Sequence, residues 1–169
     1  PFGPDESVLW KKEMPPGHSS PIIWGDTLFL TTFESDQLTT LALNRHDGSV
    51  LWKKSIHPTK IERGHRNGTP ANSTPTTDGQ SVFVYFGSFG LVAYDFDGNE
   101  KWELPLPVPV TQHGASSSPL LANGRIFIQI DQDVDSHMLC VDGETGKMLW
   151  KYPRPGFRRG FSTPIAWPP

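Results

Sequence analysis

The sequence predicts an all-β fold, a β-propeller of four-stranded antiparallel blades with about three complete blades and a partial blade at each end, on three recurring marks. Trp10, Trp52, Trp102 and Trp150 stand 42, 50 and 48 residues apart. Gly48, Gly98 and Gly146 each lie four residues ahead of a tryptophan, whereas Glu6 holds that place before Trp10. Ser20-Pro21, Thr74-Pro75, Ser118-Pro119 and Thr163-Pro164 recur at intervals of 54, 44 and 45 residues. One sheet of four short strands cannot bury both its faces alone, so a repeat of this length stacks on its neighbours. A sandwich would not need the three marks to repeat in phase.

Each period holds four strand positions. The first follows Ser/Thr-Pro. A turn signal comes next, Gly25-Asp26, Asp78-Gly79 or Asn123-Gly124, and then an apolar strand over residues 27–32, 81–86 or 125–130. The third ends in Asn44, Asp95 or Asp142, and the fourth carries the tryptophan. No segment keeps a 3.6-residue apolar period between caps, so helices are expected to be scarce. The resulting division is 1–15 for the outer strand of a preceding blade, 16–56, 57–106 and 107–154 for three blades, and 155–169 for the inner strand of the next. The blade at 57–106 begins with a long basic link. Leftover strands would leave exposed β edges at both ends, an association hazard.

The repeated residues have structural reasons. Burying an indole removes roughly 150–250 Å² from water, and a ring laid on the turn of the next sheet needs a residue without a side chain beneath it. That accounts for the turn glycines. Asp or Asn at the turn can accept from turn amides. Ala42, Ala93 and Cys140 share a repeat position where a large side chain would clash, which makes Cys140 a packing residue.

The totals exclude several classes. With 36% hydrophobic residues and a mean hydropathy of -0.41, the chain reads as globular, and its 17 prolines and 16 glycines recur in register as turns do. No apolar run approaches the roughly 20 residues of a membrane span. A net charge of -3 gives no basic field for nucleic acid. Cys140 is the only cysteine, so neither an intrachain disulfide nor a multi-cysteine zinc cage can form.

The run Cys140-Val141-Asp142-Gly143-Glu144-Thr145-Gly146-Lys147-Met148-Leu149-Trp150 closely resembles the tryptophan-docking motif of pyrroloquinoline quinone (PQQ) repeat propellers. Residues 42–52 and 93–102 are looser copies, the latter one residue shorter, and the resemblance covers nearly the whole chain. The stretch from Asn72 through Tyr85 and Leu91 to Trp102 is similar to PQQ-like propellers of exported bacterial proteins. The resemblance implies a closed ring of seven or eight blades, which three copies do not complete, and a periplasmic or extracellular location. It also implies that the Ser/Thr-Pro strands line the axis.

Function is then expected in the links that lead into those strands. The link at residues 53–72 carries Lys53, Lys54, Lys60, Arg63 and Arg66 against the single acid Glu62. His18, His65, Arg66, His113, Arg158 and Arg159 are the candidate ligand-binding residues, expected to converge on one channel mouth and favour an anionic ligand. Asp131, Asp133 and Asp135 alternate like the start of a calcium loop, yet Ser136 stands where glycine is needed and Asp142 where a bidentate Glu is needed, so a polar hairpin tip is expected. The leading reading is a non-catalytic binding or scaffolding segment. Its partners would be a protein, peptide or carbohydrate together with the remaining blades, and it would need no cofactor. The alternative implied by the resemblance is part of a quinoprotein oxidoreductase holding PQQ and calcium. A third reading, a repeat that only stacks domains, would leave both faces without a ligand.

Overall fold

The computed structural model describes Gly3 and residues 6–167. Twelve strands form, and there is no helix among the described residues. The first sheet contains β1 (Ile22–Trp24), β2 (Thr27–Glu34), β3 (Gln37–Asn44) and β4 (Val50–Ile56). The second contains β5 (Thr76–Thr77), β6 (Ser81–Phe86), β7 (Gly90–Asp95) and β8 (Glu100–Pro105). The third contains β9 (Leu120–Ala122), β10 (Arg125–Ile130), β11 (His137–Asp142) and β12 (Met148–Pro153). Each sheet is antiparallel with its strands in sequence order. Among the described residues no strand precedes Ile22 or follows Pro153.

The three sheets stack face to face, and β6 shows why its sequence reads Ser-Val-Phe-Val-Tyr-Phe without a polar alternation. All six of its residues are buried. Successive side chains leave opposite faces of a strand, so Val82, Val84 and Phe86 join a core with Phe29, Leu38 and Ala42 of the first sheet, while Phe83 and Tyr85 join Ile126, Ile128 and Leu139 of the third. A sheet covered on both faces loses its polar face.

The tryptophans couple neighbouring sheets. An added Cβ on Gly48 would lie 2.7 Å from the Trp10 ring, on Gly98 2.8 Å from Trp52, and on Gly146 2.6 Å from Trp102. All three glycines have positive φ. The indole Nε1 of Trp10 donates to the Arg45 carbonyl at 2.8 Å, that of Trp52 to Phe96 at 2.8 Å, and that of Trp102 to Gly143 at 2.9 Å. Ala42, Ala93 and Cys140 are the cross-strand partners of Trp52, Trp102 and Trp150, each beside a register shift. All three small residues are fully buried. Burial pushes the Cys140 thiol pKa up, which suits a packing residue.

The Ser/Thr-Pro marks prove to lie just ahead of the inner strands β1, β5 and β9. The backbone N–H of Ser20 donates to the Thr74 hydroxyl at 3.0 Å, that of Thr74 to Ser118 at 2.9 Å, and that of Ser118 to Thr163 at 3.1 Å. A belt of hydroxyls thus runs from sheet to sheet. The N–H groups spent on it are not available to the ladder, and the following proline has none.

A candidate binding end on the inter-sheet links

Antiparallel order sends the links between sheets and the β2–β3, β6–β7 and β10–β11 connections to one end, and the tryptophan-bearing turns to the other. His18, His65, Arg66, His113, Arg158 and Arg159 all sit on links, so all six share the first end. The His65 and His113 rings lie 5.7 Å apart, and Phe161 follows at 6.2 Å from His113. His65 Nδ1 accepts from the Asn67 N–H at 3.2 Å. His18 stands one step away, with its ring nitrogen 3.3 Å from the Thr69 hydroxyl and its N–H on the Ala71 carbonyl. Arg66 is exposed and makes no ion pair among the described residues. Arg158 lines a cleft of about 320 Å³ with Arg154, Asp133 and Phe157. Arg159 is engaged by the Asp133 carboxylate and by Gln112 at 3.0 Å.

The Asp131–Asp135 hairpin is a set of three ion pairs. Arg154 forks onto buried Asp131 at 2.8 and 3.1 Å while its guanidinium lies 4.0 Å over the Phe157 ring. Asp133 takes Arg159, and Asp135 takes Lys151 at 2.7 Å, which holds the Asp135 carboxyl below its ordinary pKa. Each acid is claimed by a different cation. Ser136 Oγ accepts from the Gln132 N–H and lies within donating distance of the Gln132 and Phe157 carbonyls, which ties the hairpin turn to the link after β12. Among the described residues no three His, Cys, Asp or Glu side chains gather as metal ligands. With each carboxylate of the hairpin held by its own cation, these three acids do not fit a shared calcium ion.

A second buried acid at this end is Glu62. Its side chain is buried, its own N–H donates to the Ser88 hydroxyl at 3.0 Å, and Oε2 accepts from the Ala115 N–H at 2.8 Å. It therefore ties the link to the second sheet and to the approach of β9. Oε1 is buried without a partner. Burial raises its pKa to about 7, against which the Ala115 bond works in the opposite direction. In the sequence Glu62 is one acid in a basic link, and only the tertiary approach of Gly87 and Ala115 buries it.

Three stacked four-stranded sheets, coupled by tryptophan on glycine turns and carrying their links at one end, define a β-propeller segment of PQQ-like repeats. The family described as outer membrane protein assembly factor BamB matches residues 39–166, and the chain belongs to it. Solved structures with the same fold include a europium-containing methanol dehydrogenase, 15% identical with a TM-score of 0.64, the match covering 83% of this chain and 25% of that one. The quinohemoprotein alcohol dehydrogenase ADHIIG from Pseudomonas putida HK5 is 19% identical at a TM-score of 0.64, covering 87% of this chain and 22% of its own. BamB from Moraxella catarrhalis is 15% identical at 0.56, covering 84% and 39%. The chain spans between 22% and 39% of the length of these structures. None of the curated proteins matches it.

Proposed function

We propose that the chain is a non-catalytic binding segment of an exported bacterial propeller, whose link-bearing end recognises a protein partner. The observation that carries this reading is the contact of His65 with His113 on the links that also bear Arg66 and Arg158, at an end where the acids of the Asp131 hairpin are already neutralised by Arg154, Arg159 and Lys151. The links of the second and third sheets thus present aromatic and cationic surface, set apart from the exposed acids Glu34 and Asp36 on the β2–β3 turn of the first sheet, which favours a partner carrying acidic groups there. Membership of a family described as an outer membrane assembly factor supports a protein partner and a periplasmic location. The occupied carboxylates of the Asp131 hairpin supply no support for PQQ with calcium.

Site-specific photo-crosslinking in intact cells tests it, with benzoylphenylalanine at His65 on the link end or at Lys147 on the tryptophan-turn end. A discrete protein adduct from the His65 position alone, in the periplasmic fraction, is expected. Equal adducts from both positions, or uptake of PQQ and calcium with dye-linked alcohol oxidation, would overturn the reading.

A further inference from the structure

A cleft of about 400 Å³ lies between the two links that carry His65 and His113. One wall is Val108 and Val110, from the run Leu104-Pro105-Leu106-Pro107-Val108-Pro109-Val110. Three prolines restrict that run before anything binds. It is also clamped, since the Val110 N–H donates to Gln132 Oε1 at 2.8 Å and its carbonyl accepts from the Asp133 N–H at 2.8 Å. The opposite wall carries Lys60 and Arg63, both exposed and neither within ion-pair distance of a carboxylate among the described residues. The one acid in the lining, Asp133, is cancelled by Arg159. Arg159 also donates to Oε1 of the exposed Gln112, whose amide N–H groups remain available as donors.

We infer that this cleft is a subsite for an acidic peptide, in which a Glu or Asp side chain meets Lys60 and Arg63 while a neighbouring apolar side chain lies on Val108 and Val110. The inference rests on the link-end reading above and names the chemistry of the partner's contact. Charge complementarity decides the occupant: two unpaired cations face one neutralised acid, and Arg forks onto carboxylates with fixed geometry. The volume falls in the range of about 300–1,000 Å³ typical of ligand sites, enough for two side chains and short of a folded surface. Val110, 57% exposed, is the apolar contact that an occupant would cover.

The test is a titration of the isotopically labelled chain with acetyl-Gly-Glu-Phe-Glu-Gly-amide, followed by amide chemical shifts. Shifts at Lys60, Arg63, Val108 and Val110 are expected, with affinity falling as salt rises. The double variant Lys60→Met, Arg63→Met loses about tenfold or more in affinity, in line with removal of a charged hydrogen bond. Lys147→Met, on the opposite end, leaves affinity unchanged. Equal binding of the peptide with both Glu replaced by Gln would overturn the inference. Shifts confined to His65, Arg66 and Arg158 would overturn it and leave the link-end reading standing; shifts confined to the tryptophan-turn end would sink both. The wild-type shift map needs no variant to fold.

Discussion

Single side chains in this chain do work that their own stretch of sequence does not announce, and Glu62 is the sharpest case. Its carboxyl titrates near 7 in the folded chain instead of near the ordinary 4.5, because burial penalises the charged form. The folded chain therefore keeps a proton that the unfolded chain releases between about pH 4.5 and 7. Stability from this group is full below pH ~4.5 and is lost as pH rises through about 7, to a limit of roughly 3 kcal/mol. Glu62→Gln retains an oxygen for the Ala115 N–H and carries no charge. Urea unfolding of the two proteins should thus diverge with pH, the variant gaining about 1–3 kcal/mol on wild type between pH 5 and pH 8. A difference that stays flat with pH would show that the carboxyl is solvated. The hydroxyl belt through Ser20, Thr74, Ser118 and Thr163 is the opposite case: the residues recur visibly, but their shared role is set by the neighbouring sheet.

At the scale of elements, the coupling unit is a tryptophan of one sheet on the glycine turn of the next. Gly98 has φ +82 and an added Cβ would meet the Trp52 ring at 2.8 Å, whereas Gly124 has φ +69 with nothing within 4 Å. Comparing Ala at the two positions separates backbone strain from lost packing. Gly124→Ala should cost about 1 kcal/mol for the left-handed conformation. Gly98→Ala should cost about 2–4 kcal/mol, since the indole must shift as well. Equal costs in denaturant unfolding would mean that the ring gives way freely. Strand positions were legible because a period with glycine, Asp or Asn and tryptophan in fixed order leaves little choice of register: the expected strands at 81–86 and 125–130 match β6 and β10. Three features were not legible. Trp24 lies off the period, yet it covers Gly79 in the next sheet at 2.5 Å from an added Cβ. The cations that claim Asp131, Asp133 and Asp135 come from Lys151, Arg154 and Arg159, some 16–26 residues on. Of the six candidate binding residues, their common end follows from strand order alone, but the contact of His65 with His113 depends on how two links fold over one another.

Across the whole molecule, the same coupling unit makes the two outer faces unequal. Trp10, Trp52 and Trp102 each cover a glycine turn, and Trp24 covers Gly79. Trp150 occupies the equivalent strand position but is 41% exposed, beside exposed Met148 and Ile165, with the Phe127 ring at 5.9 Å. An apolar hollow of about 280 Å³ opens there, lined by Leu120, Phe127, Met138, Trp150 and Ile165. Covering the exposed 41% of this indole is worth on the order of 2 kcal/mol, and contiguous apolar surface of this kind drives association. The 169-residue chain by itself should therefore associate through the third sheet. Light scattering over a concentration series should give a mass that rises with concentration for the wild type. Trp150→Glu should hold the mass near one chain, with little loss of stability because the ring is half in solvent. Trp102→Glu, made where the indole is 8% exposed and covers Gly146, should instead lower stability. A wild type that stays monomeric throughout the series would mean that the third sheet covers its own face.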